Sequence, residues 1–97
     1  MGLIRTVFTS ANLEGADFTG ANLGRSKLDY ANLKGANLTN AILMGSDASG
    51  ADMTGATIAG ADFKNVDVSG TKLRGLKGQG SAREWGARVN ADRAIVQ

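Results

Sequence analysis

The stretch that decides the fold runs from residue 11 to residue 40 and reads ANLEG ADFTG ANLGR SKLDY ANLKG ANLTN. Each block of five places leucine or phenylalanine at its third position. The spacing extends outward in both directions, so that an apolar residue stands at every fifth place from Leu3 to Leu73, over fourteen consecutive intervals. A period of five fits neither an α-helix, with about 3.6 residues per turn, nor a flat strand, with a period of about two. The chain is therefore predicted to be a repeat solenoid.

Two further positions of each five-residue unit carry a restricted set of residues. A small residue, such as Ala16 or Ser26, stands two places before the apolar centre. Two places after the centre stands, in most units, a glycine or an asparagine such as Asn40, and these residues tolerate the positive φ that a tight turn demands. Each unit is therefore predicted to form a short extended piece followed by a corner.

Units such as ADFTG at 16–20 and ANLTN at 36–40 resemble the repeats of the pentapeptide-repeat family, and the resemblance covers fifteen units over residues 1–75. It implies an all-β fold, a right-handed quadrilateral β-helix with four units per coil, in which the small and the large residues point inward. Fifteen units make just under four coils. Residues twenty apart would then stack into four interior columns: Leu3, Leu23, Leu43 and Phe63; Phe8, Leu28, Ala48 and Val68; Leu13, Leu33, Met53 and Leu73; and Phe18, Leu38 and Ile58.

The five-residue register is lost after residue 75, which predicts two parts, a β-helix over 1–75 and a linker with a C-terminal capping α-helix over 76–97. Ser81 followed three places later by Glu84 has the spacing of a capping box, which opens a helix. We expect this helix over 82–95, laid on the last coil. Its apolar side chains fall on or near one face: Trp85, Val89 and Val96.

The first coil has no residue before Met1 that could cover its apolar end. We therefore expect an uncapped N-terminal end. Such an end offers unpaired backbone groups and apolar side chains to another molecule. Three alternatives follow: a homodimer through this end, another protein packed there, or a chain whose natural cap has been removed.

The composition argues against an enzyme. The chain has 97 residues, a formal net charge of +2, and neither histidine nor cysteine. The commonest general base, the commonest metal ligand and the usual nucleophile triads are thus missing. The one close acid pair that the stacking predicts is Asp47 with Asp67, on an outer face with no pocket to shield it. We expect no catalytic, cofactor-binding or metal-binding residues.

One outer face departs from the polar pattern. Ile4, Ile42 and Met44 are predicted to point outward on the first side of the prism, with Arg5, Arg25 and Tyr30 at neighbouring corners in place of the expected glycine. An apolar patch rimmed by arginine and tyrosine has the composition of an interaction surface. Isolated apolar side chains are also normal on protein surfaces. We take these six residues as the candidate partner-binding site.

Three functions compete on these grounds. The first is a rigid structural or protein-interaction scaffold that presents an outer face or its open end to a protein partner. The second comes from the resemblance, since some pentapeptide-repeat proteins resemble duplex DNA in width and charge and occupy or protect type II topoisomerases. The third is weak nucleic-acid binding by the C-terminal segment, because residues 71–97 carry six of the eleven basic residues and only two of the nine acidic ones. That segment lacks interleaved aromatic residues, which makes nucleic acid the weaker partner.

No apolar run approaches the roughly 20 residues that span a bilayer. We expect a soluble chain without a membrane span, in the cytoplasm. Relatives in the resembling family also occur in the thylakoid lumen, which is the alternative location if a targeting segment has been removed.

Overall fold

The structure is a computed structural model, and it describes residues 2–83 and 85. The chain winds into a four-sided β-helix in which each side of a coil contributes a single paired residue. Parallel bridges join residues twenty apart on all four sides, such as Asp17 to Asn37 and Asn37 to Thr57. The prediction that residues twenty apart stack is confirmed, and Phe18, Leu38 and Ile58 lie in one buried column.

The four faces are named here by their paired residues. The first face carries Gly2, Asn22, Ile42 and Asp62; the second Val7, Lys27, Asp47 and Asp67; the third Asn12, Asn32, Asp52 and Lys72; and the fourth Asp17, Asn37, Thr57 and Lys77.

Backbone hydrogen bonds between successive coils hold the stack together. The amides of the centres from Leu3 to Ile58 each donate to a carbonyl nineteen residues ahead, as in Leu28 N to Asp47 O at 2.7 Å and Leu33 N to Asp52 O at 2.7 Å. The amides of the paired residues from Lys27 to Lys77 donate in the other direction, as in Lys27 N to Thr6 O at 2.9 Å. Every face therefore repeats the same ladder, which fixes the register of the next coil.

The core is a solid column of apolar centres and small residues. From Phe18 onward the centres are buried, and the large ones include Leu23, Leu43 and Phe63. Burial of each such side chain contributes on the order of 1.5–3 kcal/mol, so this column is the main stabilising term. The first coil is less covered, since Leu3, Phe8 and Leu13 are only partly buried against the core.

The corners all use the left-handed region of backbone space. The residue two places after each centre has a positive φ, between 56° and 73°, from Arg5 to Gly75. Each corner is closed by a hydrogen bond from the small residue of the next unit back to the centre, such as Ala31 N to Leu28 O at 3.0 Å. The expected alternation of an extended piece and a corner is thus present in every unit.

Asparagine and aspartate before the centre brace these corners. The Asp52 Oδ1 atom accepts hydrogen bonds from the Thr54 amide at 3.0 Å and from the Thr54 hydroxyl at 2.5 Å. The same two bonds join Asp17 to Thr19, and in the neutral version an asparagine serves as acceptor. These Asx turns explain why the outward position before the centre is so often Asn or Asp.

The turns lower the pKa values of three of their carboxylic acids. At Asp17 and Asp67, hydrogen bonds from the hydroxyl and amide two residues ahead hold the pKa below its usual range. At Asp52, burial raises the pKa. The Thr54 hydrogen bonds and the charges of Lys34 and Lys72 lower it by more in total, so the net shift of the pKa is downward. The ionised form is therefore the one that the fold favours.

Parallel pairing continues past the expected boundary at residue 75. Lys77 pairs with Thr57 at the usual spacing of twenty, and Arg83 pairs with Asp62 at a spacing of twenty-one. The extra residue lies in a turn that contains the 3₁₀ helix Gln79–Ser81. After the third-face residue Lys72, the ladder therefore continues with Lys77 on the fourth face and Arg83 on the first face.

The predicted start of the helix at residue 82 is too early, because Arg83 still belongs to the ladder. Its amide donates to Ala61 O at 2.7 Å. The Ser81 hydroxyl, predicted to open a capping box, instead accepts from the Gly60 amide at 3.0 Å and donates to Gly78 O at 3.2 Å. Glu84 and residues 86–95 of that helix lie outside the described residues.

An aromatic contact covers the last coil at one point. The Trp85 ring meets the Phe63 ring edge-on, with centroids 4.8 Å apart and planes at 71°. Such pairs add about 0.5–1.5 kcal/mol beyond the burial of their area.

Ser46 is the weak point of the interior. Its hydroxyl is buried and, among the described residues, has no hydrogen-bond partner. The equivalent hydroxyl of Ser26 donates to Leu3 O at 2.7 Å.

We expect Ser46→Ala to raise the free energy of unfolding by about 1 kcal/mol, because it removes an unpaired buried polar group, and Ser26→Ala to lower it. Urea unfolding followed by circular dichroism measures both, and a loss of stability in Ser46→Ala would contradict the assignment.

The lowered pKa values give the fold an acid-sensitive component. Because the folded values lie below the unfolded ones, Asp52 and Asp67 stabilise the fold above the unfolded pKa of about 4, and the contribution is lost as the pH falls through the folded values. We expect the double variant Asp52→Asn, Asp67→Asn, which keeps an acceptor for each turn, to be less stable than the native chain near neutral pH. The difference should narrow steadily below about pH 4. Urea titrations across this range measure it, and a difference independent of pH would be the contrary result.

Candidate functional site

The first face is the least polar side of the prism. Ile42 and Met44 flank the buried centre Leu43 and point outward, with 40% and 41% of their surfaces exposed. Ile4, two coils above Met44, is 57% exposed. The prediction placed these three apolar side chains on the outside, and the structure has them there.

A missing side chain opens a groove in this face. Ile4, Gly24 and Met44 hold equivalent positions on three successive coils, directly after the centres Leu3, Leu23 and Leu43. Because Gly24 has no side chain, the space between Ile4 and Met44 stays open. The resulting groove has a volume of about 320 Å³ and is lined by Ile4, Arg5, Gly24, Arg25 and Met44.

Two arginines border the groove at strained corners. Arg5 and Arg25 have φ of 60° and 56°. For a side chain with a Cβ this left-handed conformation costs roughly 1–2 kcal/mol, and glycine escapes the cost. The Arg5 amide donates to Gly24 O at 2.9 Å and the Arg25 amide to Met44 O at 2.9 Å, so the stacking of the coils enforces the conformation.

Arg25 lies over the coil that follows it. A Cβ atom placed on Gly45 would stand 3.2 Å from Arg25 Cγ, so the aliphatic part of the arginine covers that glycine. The side chain is thereby directed along the corner column beside Met44. The groove thus has a packed cationic wall.

The charge around the groove is of one sign. On the first three coils of this face, the outer positions and the corner after them carry Arg5 and Arg25 and no carboxylate. Among the described residues, neither arginine forms an ion pair within 4.0 Å, whereas Asp62 on the fourth coil faces Arg83 at 3.9 Å. The groove is an apolar slot with uncompensated positive charge on its rim.

The structure therefore brings together four of the six predicted partner-binding residues, Ile4, Arg5, Arg25 and Met44, as groove lining. Ile42 shares their face without lining the groove. Tyr30 stands at the next corner, with φ of 59°, and its ring covers Gly50, where a Cβ would lie 2.5 Å from Tyr30 Cε1.

Sequence reasoning missed one residue of this groove and one exposed apolar residue of the neighbouring face. Gly24 was not singled out, although the unit ANLGR reverses the usual order of a polar residue followed by glycine, and that reversal is a usable signal. Val7 was also missed; it is 67% exposed on the second face.

The paired carboxylates of the second face are already occupied. Asp47 and Asp67 are bridge partners, as expected, but Asp47 accepts from the Ser49 amide and hydroxyl, and Asp67 from the Ser69 amide.

Within residues 2–83 and 85 no group of three or more His, Cys, Asp or Glu is placed to hold a metal ion. No helix in this same part of the chain has the length and apolar character to cross a bilayer.

Comparison with known proteins agrees with the geometry. The family model described as pentapeptide repeats, in eight copies, matches residues 6–45 and 43–75. A search of curated proteins found no match.

Three solved structures illustrate the similarity. HetL of the cyanobacterium Nostoc sp. strain PCC 7120, a pentapeptide repeat protein involved in heterocyst differentiation regulation, is 29% identical, with a TM-score of 0.82 over 84% of this chain and 38% of HetL. AT2G44920, a pentapeptide repeat protein from the thylakoid lumen of Arabidopsis thaliana, is 31% identical, with a TM-score of 0.76 over 76% of this chain and 51% of that one. QnrB1, a plasmid-mediated fluoroquinolone resistance protein, is 16% identical with a TM-score of 0.60, and it shares the fold alone.

This chain spans about two fifths of HetL and half of the Arabidopsis protein. Proteins built from these repeats have diverse roles and are generally non-catalytic. Family model, repeat register and coil geometry agree, and the chain belongs to the pentapeptide-repeat family.

Proposed function

We infer that this chain is a non-enzymatic protein-interaction module that presents its first face to a protein partner. The observation that carries this is the groove between Ile4 and Met44, an exposed apolar slot bordered by Arg5 and Arg25. Methionine and arginine are enriched in protein interfaces, while most outer positions of this chain are Asn, Asp, Thr, Ser or Lys.

The rigidity of the scaffold supports this function. Coil-to-coil hydrogen bonds on all four faces fix the backbone on both sides of the groove. A surface held in place before binding loses little conformational freedom when the partner arrives, so more of the contact energy is available for affinity.

The strain at the corners points the same way. Arg5 and Arg25 occupy backbone conformations that glycine or asparagine would adopt at lower cost, as Asn40 and Asn65 do at equivalent corners. Strained residues of this kind cluster at functional sites. A role in binding gives a reason for arginine at these two corners.

The similar proteins are compatible with a binding role. HetL is described as involved in regulation of heterocyst differentiation, which a binding surface can serve without catalysis. Because this chain covers 38% of HetL, the proposal rests on the groove and not on the role of the longer protein.

The topoisomerase alternative fits the charges less well. A mimic of duplex DNA needs columns of negative charge, and the first face carries arginine beside apolar side chains. In the C-terminal region Lys72, Arg74 and Lys77 are exposed, but they lie beside no exposed aromatic cluster in the described residues that could stack on bases. A change of supercoiling activity in a gyrase assay would support the topoisomerase alternative, and salt-dependent binding to DNA would support nucleic-acid binding.

We expect the double variant Ile42→Lys, Met44→Lys to keep the fold and to lose partner capture. Both side chains already point outward, so their replacement leaves the core intact, while two added charges oppose an apolar contact. Tagged native and variant chains, incubated with lysate of the source cells and analysed by mass spectrometry, measure the captured proteins.

The control is Val7→Lys, which places a charge on an exposed apolar residue of the second face. Proteins captured by the native chain and by Val7→Lys, but not by the double variant, support the first face. Capture that survives in the double variant contradicts it. Light scattering of the same samples distinguishes a self-association through the partly covered first coil, which these variants should leave unchanged.

A further inference from the structure

The groove on the first face has the size and chemistry of a peptide site. We propose that it binds a linear acidic peptide segment, one whose apolar side chain enters the slot over Gly24 and whose neighbouring carboxylates meet Arg5 and Arg25. This proposal rests on the protein-interaction function and names the class of partner.

The volume sets the scale of the occupant. About 320 Å³ lies at the lower end of the range for small-ligand sites, roughly 300–1,000 Å³. A slot of this size takes one or two side chains, in contrast to the broad flat area of a domain interface. Its walls are Ile4 on one side and Met44 on the other, and a methionine adapts its shape to different apolar groups.

The rim requires negative charge. Arg5 and Arg25 occupy the same corner on successive coils, whose backbones are about 4.8 Å apart. Like charges at directly opposite positions of neighbouring coils are destabilising, and among the described residues no carboxylate pairs with either arginine. Asp29 is a carboxylate of the neighbouring second face, and its partner is the Thr9 hydroxyl, which donates a hydrogen bond to it at 2.8 Å. An incoming carboxylate would relieve the repulsion and can bind a guanidinium through two hydrogen bonds.

The combination of slot and rim favours a peptide over a nucleic acid. Phosphates also bind arginine, but the bases of a single strand stack on aromatic side chains, and the groove lining contains none. Apolar and acidic side chains within a few residues of each other satisfy both parts of the site.

The groove can be closed without changing its charge. A Cβ on Gly24 would lie 3.2 Å from Asn22 Oδ1, the atom that accepts the Gly24 amide, and 3.6 Å from Met44 O. Lys34 occupies the equivalent position above the same type of turn, with its amide bonded to Asn32 Oδ1 at 3.1 Å. A long side chain is therefore compatible with this place, and Gly24→Leu should fill the slot in a folded chain.

The arginines can likewise be replaced by a residue that their corners tolerate. Asn40 and Asn65 adopt φ of 58° and 57° at equivalent corners. The double variant Arg5→Asn, Arg25→Asn should therefore be at least as resistant to urea as the native chain. A loss of binding together with retained stability separates a binding role from a structural one.

The test is a selection from a display library of random linear peptides on the native chain, followed by fluorescence polarisation of the enriched peptides. We expect enriched peptides to pair an aliphatic or aromatic residue with aspartate or glutamate within about three positions. Their affinity should fall at least tenfold on Gly24→Leu and on Arg5→Asn, Arg25→Asn, and should fall with added salt. The matched control Lys34→Leu, which adds the same side chain on the third face, should bind like the native chain.

Three outcomes would overturn the proposal. One is that the native chain enriches no peptide beyond those that the Gly24→Leu chain also enriches, and another is that the enriched peptides contain no acidic residue. The third is that a DNA duplex binds the native chain more tightly than any peptide does and loses affinity in the same variants. Comparison with the lysate experiment distinguishes failure of the acidic-peptide site from failure of the first-face function. If Ile42→Lys, Met44→Lys abolishes protein capture while Gly24→Leu and the arginine variant leave it intact, the acidic-peptide site is wrong and the first-face function stands. If none of these variants changes capture, both are wrong.

Discussion

The hydrogen-bonded stacking of each coil on the next is the constraint on which everything else in this molecule depends. An amide donates to a carbonyl nineteen residues ahead, on four faces, and this places each apolar centre above the one twenty residues later. The backbone needs of the chain are met between coils, so the interior can consist of apolar centres and small residues alone. With the inward positions committed to packing, the outer faces and the corners are free to carry other kinds of residue.

The candidate site arises from departures at those free positions. A glycine where neighbouring coils carry a side chain opens the groove, and arginines where neighbouring coils carry glycine or asparagine give it a charged rim. The scaffold tolerates both changes because the ladder fixes the corner conformation independently of the side chain. The function therefore belongs to a few residues of one face, and the fold by itself does not determine it.

The sequence predicted the core well and the C-terminal end poorly, for physical reasons. A strict five-residue register allows one stacking, so columns such as Phe18, Leu38 and Ile58 could be read directly. The pairing of Arg83 with Asp62 could not, because a turn with one extra residue interrupts the register. The apolar and basic members of the site were visible as exceptions to the pattern, but the groove was not, since Gly24 gains meaning only between Ile4 and Met44. Asn and Asp brace their turns through residues two apart within one unit, and a comparison of positions twenty apart does not reveal this role.

The most direct test of the stacking is a measurement of scalar couplings across backbone hydrogen bonds by nuclear magnetic resonance. We expect the Leu28 amide nitrogen to couple to the carbonyl carbon of Asp47, and the Leu33 amide nitrogen to that of Asp52, at a separation of nineteen residues. Couplings to carbonyls at another separation, or only to residues within the same coil, would contradict the four-sided helix and with it the groove.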